Sequence, residues 1–293
     1  MRILPTMNRP DRCQIALDSM IASGITTPGA VIVNGPQRID EYRKLRLPNN
    51  WHMFELPENI GVCGALNFGL RRFPGCDWYS LAADDEIVHS AGFDIRLAEA
   101  AGRWNIANAN DGWQSTNRIW SFVTIGGDLV RSMGYLAPPG LWHYYWDDFV
   151  EHVAADLNLR RFLPDIKTEH RHHYANTAPD DKTYQEGRSR WDQDKARFER
   201  WKLEEWQEIR NRVRLEMTFK PEPKKPLGDW LTCINRGGSL GVELNCGCNI
   251  DKTFYHCRVN GKCLKRLPPG QPRSHFGTQL DGVTECHGCL DAE

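Results

Sequence analysis

The stretch Trp78-Tyr79-Ser80-Leu81-Ala82-Ala83-Asp84-Asp85-Glu86-Ile87 decides the fold: an apolar strand runs from Trp78 to Ala82 and stops abruptly in three consecutive acids. Such a cluster is electrostatically unfavourable unless a cation or solvent compensates it. At the carboxyl end of a strand it can hold a divalent ion through oxygen ligands, and that ion can neutralise a diphosphate leaving group. A solvated turn before a helix N-terminus accounts for the same acids, because carboxylates also interact favourably with the helix dipole.

Upstream, Ile3-Leu4-Pro5 reads as a first strand. Asn8 and Asp11 follow as possible caps, and Cys13, Ala16, Leu17, Met20 and Ile21 recur at helical spacing until Gly24. Ala30-Val31-Ile32-Val33 is a continuous apolar run of the kind a buried parallel strand needs, and Trp51 to Leu56 and Ile119 to Ile125 are further strand candidates. Val62 to Phe73 and Ala91 to Ala101 read as helices between them. Strands alternating with helices predict an α/β fold with a mostly parallel sheet covered on both faces, where ligands bind beyond the carboxyl ends of the strands.

Downstream, Gly126-Gly127-Asp128 and Gly134-Tyr135 lead through Pro138-Pro139-Gly140 to Trp142-His143-Tyr144-Tyr145-Trp146-Asp147-Asp148. An acid here suits a general base, and the same pair suits a cap on a helix beginning near Phe149. Trp113, Trp142 and Tyr145 can stack on a sugar or a base, or belong to the core. Ile166 to His173 carries His170, His172 and His173, whose imidazoles can bind manganese-like ions or zinc. From Arg188 to about Met217 the chain is highly charged, yet Trp191, Phe198, Trp201, Trp206, Ile209 and Val213 fall at intervals compatible with one stripe. That pattern predicts a packing helix; an aromatic binding surface is the functional alternative.

Residues 1–217 are therefore expected to form one domain, 218–230 a proline-rich linker around Lys220-Pro221-Glu222-Pro223-Lys224-Lys225-Pro226, and 231–293 a small second module. Seven of the ten cysteines, Cys233, Cys246, Cys248, Cys257, Cys263, Cys286 and Cys289, crowd into that module, a span too short for a large core. Bound Zn2+ would supply the missing folding energy. Seven thiolates exceed one tetrahedral site and fall one short of two, so either His256, His275 or His287 completes a second set of four or some cysteines stay free. Lys252, Arg258, Lys262, Lys265, Arg266 and Arg273 add a basic run that fits either phosphates or a solvated face.

Three features occur in the order found in GT-A-fold, family-2-like glycosyltransferases: Leu4 to Pro10, Glu58-Asn59-Ile60-Gly61 with Ala65 and Asn67, and the Asp84-Asp85-Glu86 strand end. The chain resembles that family over roughly residues 1 to 175. The resemblance implies a nucleotide diphosphate sugar held by Thr6, Asn8, Arg9, Asn34, Asn59, Gly61, Asn67, Asp84 and Asp85. It implies Mn2+ or Mg2+ near Asp85 and Glu86, with His170 or His172 completing the site. It also implies that Asp148, or failing that Asp147, removes the acceptor proton during an inverting displacement. Asp84 and Glu86 stand at the outer positions of the family's Asp-x-Asp motif, with glutamate replacing the usual final aspartate. The tail resembles zinc-ribbon-like tails that follow some bacterial and phage glycosyltransferases.

Saccharide, protein and hydroxymethylated DNA acceptors all remain open, as does a non-catalytic nucleotide-sugar or nucleic-acid binding protein. A formal net charge of −1 gives no global pull toward polyanions. No apolar run reaches membrane-spanning length, and Met1 leads straight into the first strand. A cytoplasmic location is the expectation.

Overall fold

The computed structural model describes residues 1–112 and 122–219, together with the backbone of 250–251, 254–259 and 262–265. The chain divides into two units, Met1–Arg72 with Cys76–Lys225, and Phe73–Gly75 with Pro226–Glu293.

In the first unit, eight strands make one mixed sheet: β1 (Arg2–Thr6), β2 (Gly29–Asn34), β3 (Trp51–Leu56), β4 (Trp78–Leu81), β5 (Glu86–Val88), β6 (Ile106–Asn110), β7 (Val123–Gly126) and β8 (Arg160–His170). Their order is β3-β2-β1-β4-β7-β6-β8-β5. The first four run parallel, β7 is antiparallel to both β4 and β6, β8 returns parallel to β6, and β5 lies antiparallel on β8. This is the expected α/β class, with four parallel and three antiparallel strand pairings.

Helices α1 (Pro10–Ala22), α2 (Ile39–Tyr42), α3 (Gly61–Arg72), α4 (Phe93–Ala101), α5 (Gly127–Met133) and α6 (Trp146–Leu157) connect the strands. Successive strand residues face opposite sides of a sheet. Leu4 joins Leu17, Met20, Phe93 and Leu97 in one buried cluster. Its neighbour Ile3 meets α3 so closely that a Cβ on Gly69 would lie 2.7 Å from the Ile3 side chain. Helices therefore cover both faces. Fully burying a large apolar side chain contributes about 1.5–3 kcal/mol.

Two expected helix starts are corrected. Arg9, not Asn8 or Asp11, stands at the N-cap of α1, without a side-chain cap bond; Pro10 at the first helical position, with its fixed φ and missing N–H, does the initiating. Helix α6 begins at Trp146 after Tyr145, whose φ is +62°, so Asp147 and Asp148 sit inside the first turn rather than capping a helix at Phe149. The β7–α5 junction needs its glycine, because a Cβ on Gly127 would lie 2.1 Å from the Cys76 carbonyl oxygen. The neighbouring Asp128 is buried and paired with Arg103 and Arg131, a structural role.

After β8 come α7 (Lys182–Arg188), α8 (Trp191–Arg200), one π-helical turn (Trp201–Glu205) and α9 (Trp206–Phe219). The predicted stripe is buried from Phe198 through Trp201, Trp206 and Ile209 to Val213. Trp201 and Trp206 are five residues apart, a step an α-helix cannot place on one face; the Trp206 N–H bonds to the Trp201 carbonyl, and the wide turn brings both indoles inward with their centroids 5.2 Å apart. Trp191 departs from the stripe and stays 44 % exposed.

In the second unit, β9 (Ile250–Asp251), β10 (Phe254–Val259) and β11 (Lys262–Lys265) form an antiparallel sheet in the order β11-β10-β9, with Arg258 opposite Cys263 and Cys257 opposite Leu264. Thr218 and Phe219, expected to begin the linker, continue α9 instead, while the rest of the expected linker, the cysteine side chains of the second unit and Trp113 lie outside the described residues. Cys13, Cys63 and Cys76 of the first unit are free thiols. Among the described residues no helix is long and apolar enough to cross a membrane.

Candidate active site

The carboxyl ends of β2, β1 and β4 lie side by side, and they bring Asn34, Thr6 and the Asp84-Asp85 loop to one edge of the sheet. A cavity of about 380 Å³ opens there. Thr6, Arg9, Asn34, Asn59, Gly61, Asp84, Asp85, Asp147, Asp148, His170 and His172 all line it. Sequence positions up to 166 residues apart thus meet in one place.

Asp84 accepts from Thr6 Oγ1 at 2.8 Å and from Arg9 at 3.3 Å. Burial, reinforced by the charge of Asp85, pushes its pKa up to about 6 against the pull of Arg9. Asp85 accepts from the Tyr184 hydroxyl at 2.9 Å and lies 3.5 Å from His170 Nε2. Burial opposes its charge as well, but His170, Arg9 and Tyr184 outweigh that and hold it below the usual carboxylate range. Burial lowers His170, and the Asp85 carboxylate more than compensates, so it is raised.

The other acid of the triplet faces elsewhere. Glu86 is 1 % exposed and forms an ion pair with Arg2, which also donates to Ser80 Oγ at 2.7 Å. Glu86 does not line the cavity. His172 lines it, but its Nδ1 accepts from the Tyr174 N–H at 3.2 Å, which leaves the ring proton on Nε2 and no lone pair aimed at an ion. Burial and the neighbouring His170 push His172 down to about 4.

Asn34 and Asn59 build the opposite wall. Asn34 donates to Asn59 Oδ1 at 2.9 Å and to the Gly61 carbonyl at 3.1 Å, and accepts from the Ile60 N–H. Gly61 has φ +75°, and a Cβ there would lie 2.4 Å from the Trp142 carbonyl oxygen, so the loop closes on the 142 segment only with glycine. Asn67 lies outside the cavity. It fastens the 136–137 turn, accepting from the Leu136 N–H at 2.9 Å and donating to the Ala137 carbonyl at 2.8 Å. Asn8, in the left-handed region at φ +60°, turns the chain between β1 and α1 and does not line the cavity.

The sequence reading missed the roof. Helix α7 reaches back over the site: Asp181 takes two hydrogen bonds from Arg9 at 2.6 and 2.8 Å, Tyr184 lies under the Arg9 guanidinium at 3.9 Å, and Glu186 accepts from Asn59 at 2.7 Å. The one available signal was Asp181 as a helix cap, and it does accept from the Thr183 and Tyr184 N–H groups. Tyr42 was missed as well. Its hydroxyl is 2.9 Å from Thr6 Oγ1 and accepts from the Arg9 N–H at 2.9 Å.

Among the described residues no group of three or more His, Cys, Asp or Glu side chains is placed to hold a metal ion unaided. Asp85 and His170 nevertheless fit one. An ion roughly 2.1 Å from each of two adjacent ligand atoms sets those atoms about 3–3.5 Å apart. Magnesium-like ions also commonly rely on one or two protein ligands completed by substrate phosphates and water.

No family model matches the chain, and no curated protein matches it. Among solved structures it is similar to Staphylococcus aureus TarS, residues 1–349, in complex with UDP, at 14 % identity and a TM-score of 0.44 over 57 % of this chain and 58 % of that one. It is also similar to Mycobacterium tuberculosis glucosyl-3-phosphoglycerate synthase in complex with Mn2+, UDP and glucosyl-3-phosphoglycerate, at 13 % identity and a TM-score of 0.43 over 58 % and 71 %. The match covers 35 % of a longer TarS chain, so this chain spans less than two thirds of the TarS relatives it matches.

Proposed function

We propose that the chain is a glycosyltransferase that moves a sugar from a nucleotide diphosphate sugar to an acceptor hydroxyl with the help of Mn2+ or Mg2+. The carrying observation is one cavity with two different acidic walls: Asp84 and Asp85 beside His170 at the strand ends, and Asp147 and Asp148 at the start of α6. One pair suits a cation and a diphosphate, the other an acceptor proton.

Thr6, Arg9, Asn34, Asn59 and Gly61 hold the nucleotide side of the donor in this reading, while Asn8 and Asn67 shape the loops around it. Asp85 and His170 hold the ion, with Asp84 beside them and Glu86 in support from the core. When bound, the ion offsets the charge that develops on the departing diphosphate. Arg9, kept charged by Asp84 and Asp181, adds fixed positive potential on the same side. Asp148 is exposed, and no described residue hydrogen-bonds or ion-pairs with its carboxylate, which leaves it able to take the proton of a hydroxyl attacking the anomeric carbon from the opposite face. Such an attack inverts configuration.

Calorimetric titration of UDP, GDP or dTDP sugars, with Mn2+ and with chelator, tests the donor site. Binding is expected to strengthen at least about tenfold with the ion, and Asp85→Asn is expected to remove that gain. Equal affinity under both conditions would take the metal out of the mechanism.

The cysteine-rich module is proposed to bind at least one zinc ion and to fold separately. A chelator is expected to release zinc and unfold the module while the first unit keeps its circular dichroism signal. Purified protein without zinc, and with disulfides among the seven cysteines, would defeat this reading.

A further inference from the structure

The cavity's outer rim carries a feature that donor binding does not use. Among the described residues, Tyr174 at 60 % and Trp191 at 44 % are the exposed large apolar side chains that line this cavity. Both are held in place. Trp191 meets Tyr144 edge-on at 4.6 Å and Tyr145 at 5.1 Å, and Tyr145 stacks on Phe198 at 5.7 Å. Tyr174 packs against His172 and His173, with centroids 5.1 and 4.0 Å away.

The backbone under this shelf is fixed as well. Asp194, 1 % exposed, accepts from the N–H groups of Trp142, His143 and Tyr144 at 2.7, 2.9 and 2.8 Å. Three charge-assisted bonds to consecutive amides hold the 142–144 segment in one conformation, so the aromatic rings are presented in advance rather than gathered on binding. Asp147 and Asp148 stand beside them, both exposed and both lining the same cavity.

We propose that this rim is the acceptor subsite and that the acceptor is a saccharide, one pyranose ring of which lies on the Trp191 shelf, with Tyr174 elsewhere on the same rim, and its hydroxyls toward Asp147 and Asp148. The inference rests on the transferase reading. A pyranose has an apolar C–H face, which suits an exposed indole or phenol ring, and a rim of hydroxyl donors, which suits carboxylates. A nucleic-acid acceptor would bring phosphates toward the same two carboxylates, an arrangement like charges oppose. Among the described residues, Arg188 is paired with Asp180, and Arg190, over the Trp142 ring, brings one positive charge against the two carboxylates. The rim thus favours a neutral polyol over a polyanion.

Saturation-transfer NMR on the full chain, with a nucleoside diphosphate and Mn2+ present, tests this using methyl glycosides of glucose, galactose and N-acetylglucosamine. At least one glycoside is expected to receive saturation on the C–H protons of one ring face. Trp191→Ala is expected to weaken that binding roughly tenfold, and Trp191→Phe to restore most of it. Unchanged glycoside binding by a folded Trp191→Ala variant would overturn the shelf. Binding of hydroxymethylated duplex DNA in place of every glycoside would overturn the saccharide assignment while leaving the transferase reading intact. Failure of the wild-type chain to bind any nucleotide sugar, checked first and separately, would remove both.

Discussion

Asp148→Asn is expected to bind the nucleotide sugar within about twofold of wild type and to lose a factor of roughly 10²–10⁴ in kcat, the range a positioned general base supplies. The substitution is nearly isosteric and lies on an exposed turn where no described residue bonds the carboxylate, so little folding free energy is at stake. An amide cannot accept the acceptor proton. The loss should therefore appear in kcat, with the donor KM largely preserved. Asp147→Asn, measured alongside, separates the two acids of the α6 first turn. Near-normal transfer by Asp148→Asn together with a collapse in Asp147→Asn would move the base by one residue.

Glu86→Ala is expected to lower the free energy of unfolding by about 3–5 kcal/mol, because it leaves Arg2 charged and buried without its counter-ion. Arg2 keeps its bond to Ser80, itself bonded by Thr124 at 3.0 Å, and its position over the Phe93 ring, but neither neighbour carries a compensating charge. Burial together with the Asp85 charge raises the Glu86 pKa, and Arg2 opposes both. Urea denaturation would show a lower midpoint at an unchanged slope. A stability loss below 1 kcal/mol, combined with a loss of Mn2+-dependent donor binding, would return Glu86 to the ion.

The contrast between Glu86 and its two neighbours marks the limit of what the sequence reveals about the site. The strand ending in acids was legible because apolar residues giving way to three charges is a local pattern. Which carboxylate faces the cavity was not, because it depends on Arg2, 84 positions away. The roof depends likewise on Arg9 meeting Asp181 across 172 positions. In the sheet, β2 was legible as an uninterrupted apolar run, and β3 as a short segment rich in large apolar residues despite His52 and Glu55. β6, with its alternating alanines and asparagines, and β8, with charges, Pro164 and a shift in register opposite Ala109 and Asn110, lack the composition of a buried strand. β6 is held in the sheet between β7 and β8, and β8 between β6 and β5.

The wide turn between α8 and α9 has a consequence for how the chain tolerates changes in length. A π turn holds one residue more than the regular helix it interrupts, and the surplus is absorbed locally, so Ile209 and Val213 still face inward. Leu203, 83 % exposed, lies in that turn. Removing one residue there would close an ordinary turn and leave the phase of everything after it unchanged. The same excision within α8 or α9 would instead rotate the remaining helix by about 100° and carry its apolar face toward water. A single short segment of this domain can thus shorten by one residue without altering which side chains meet the core.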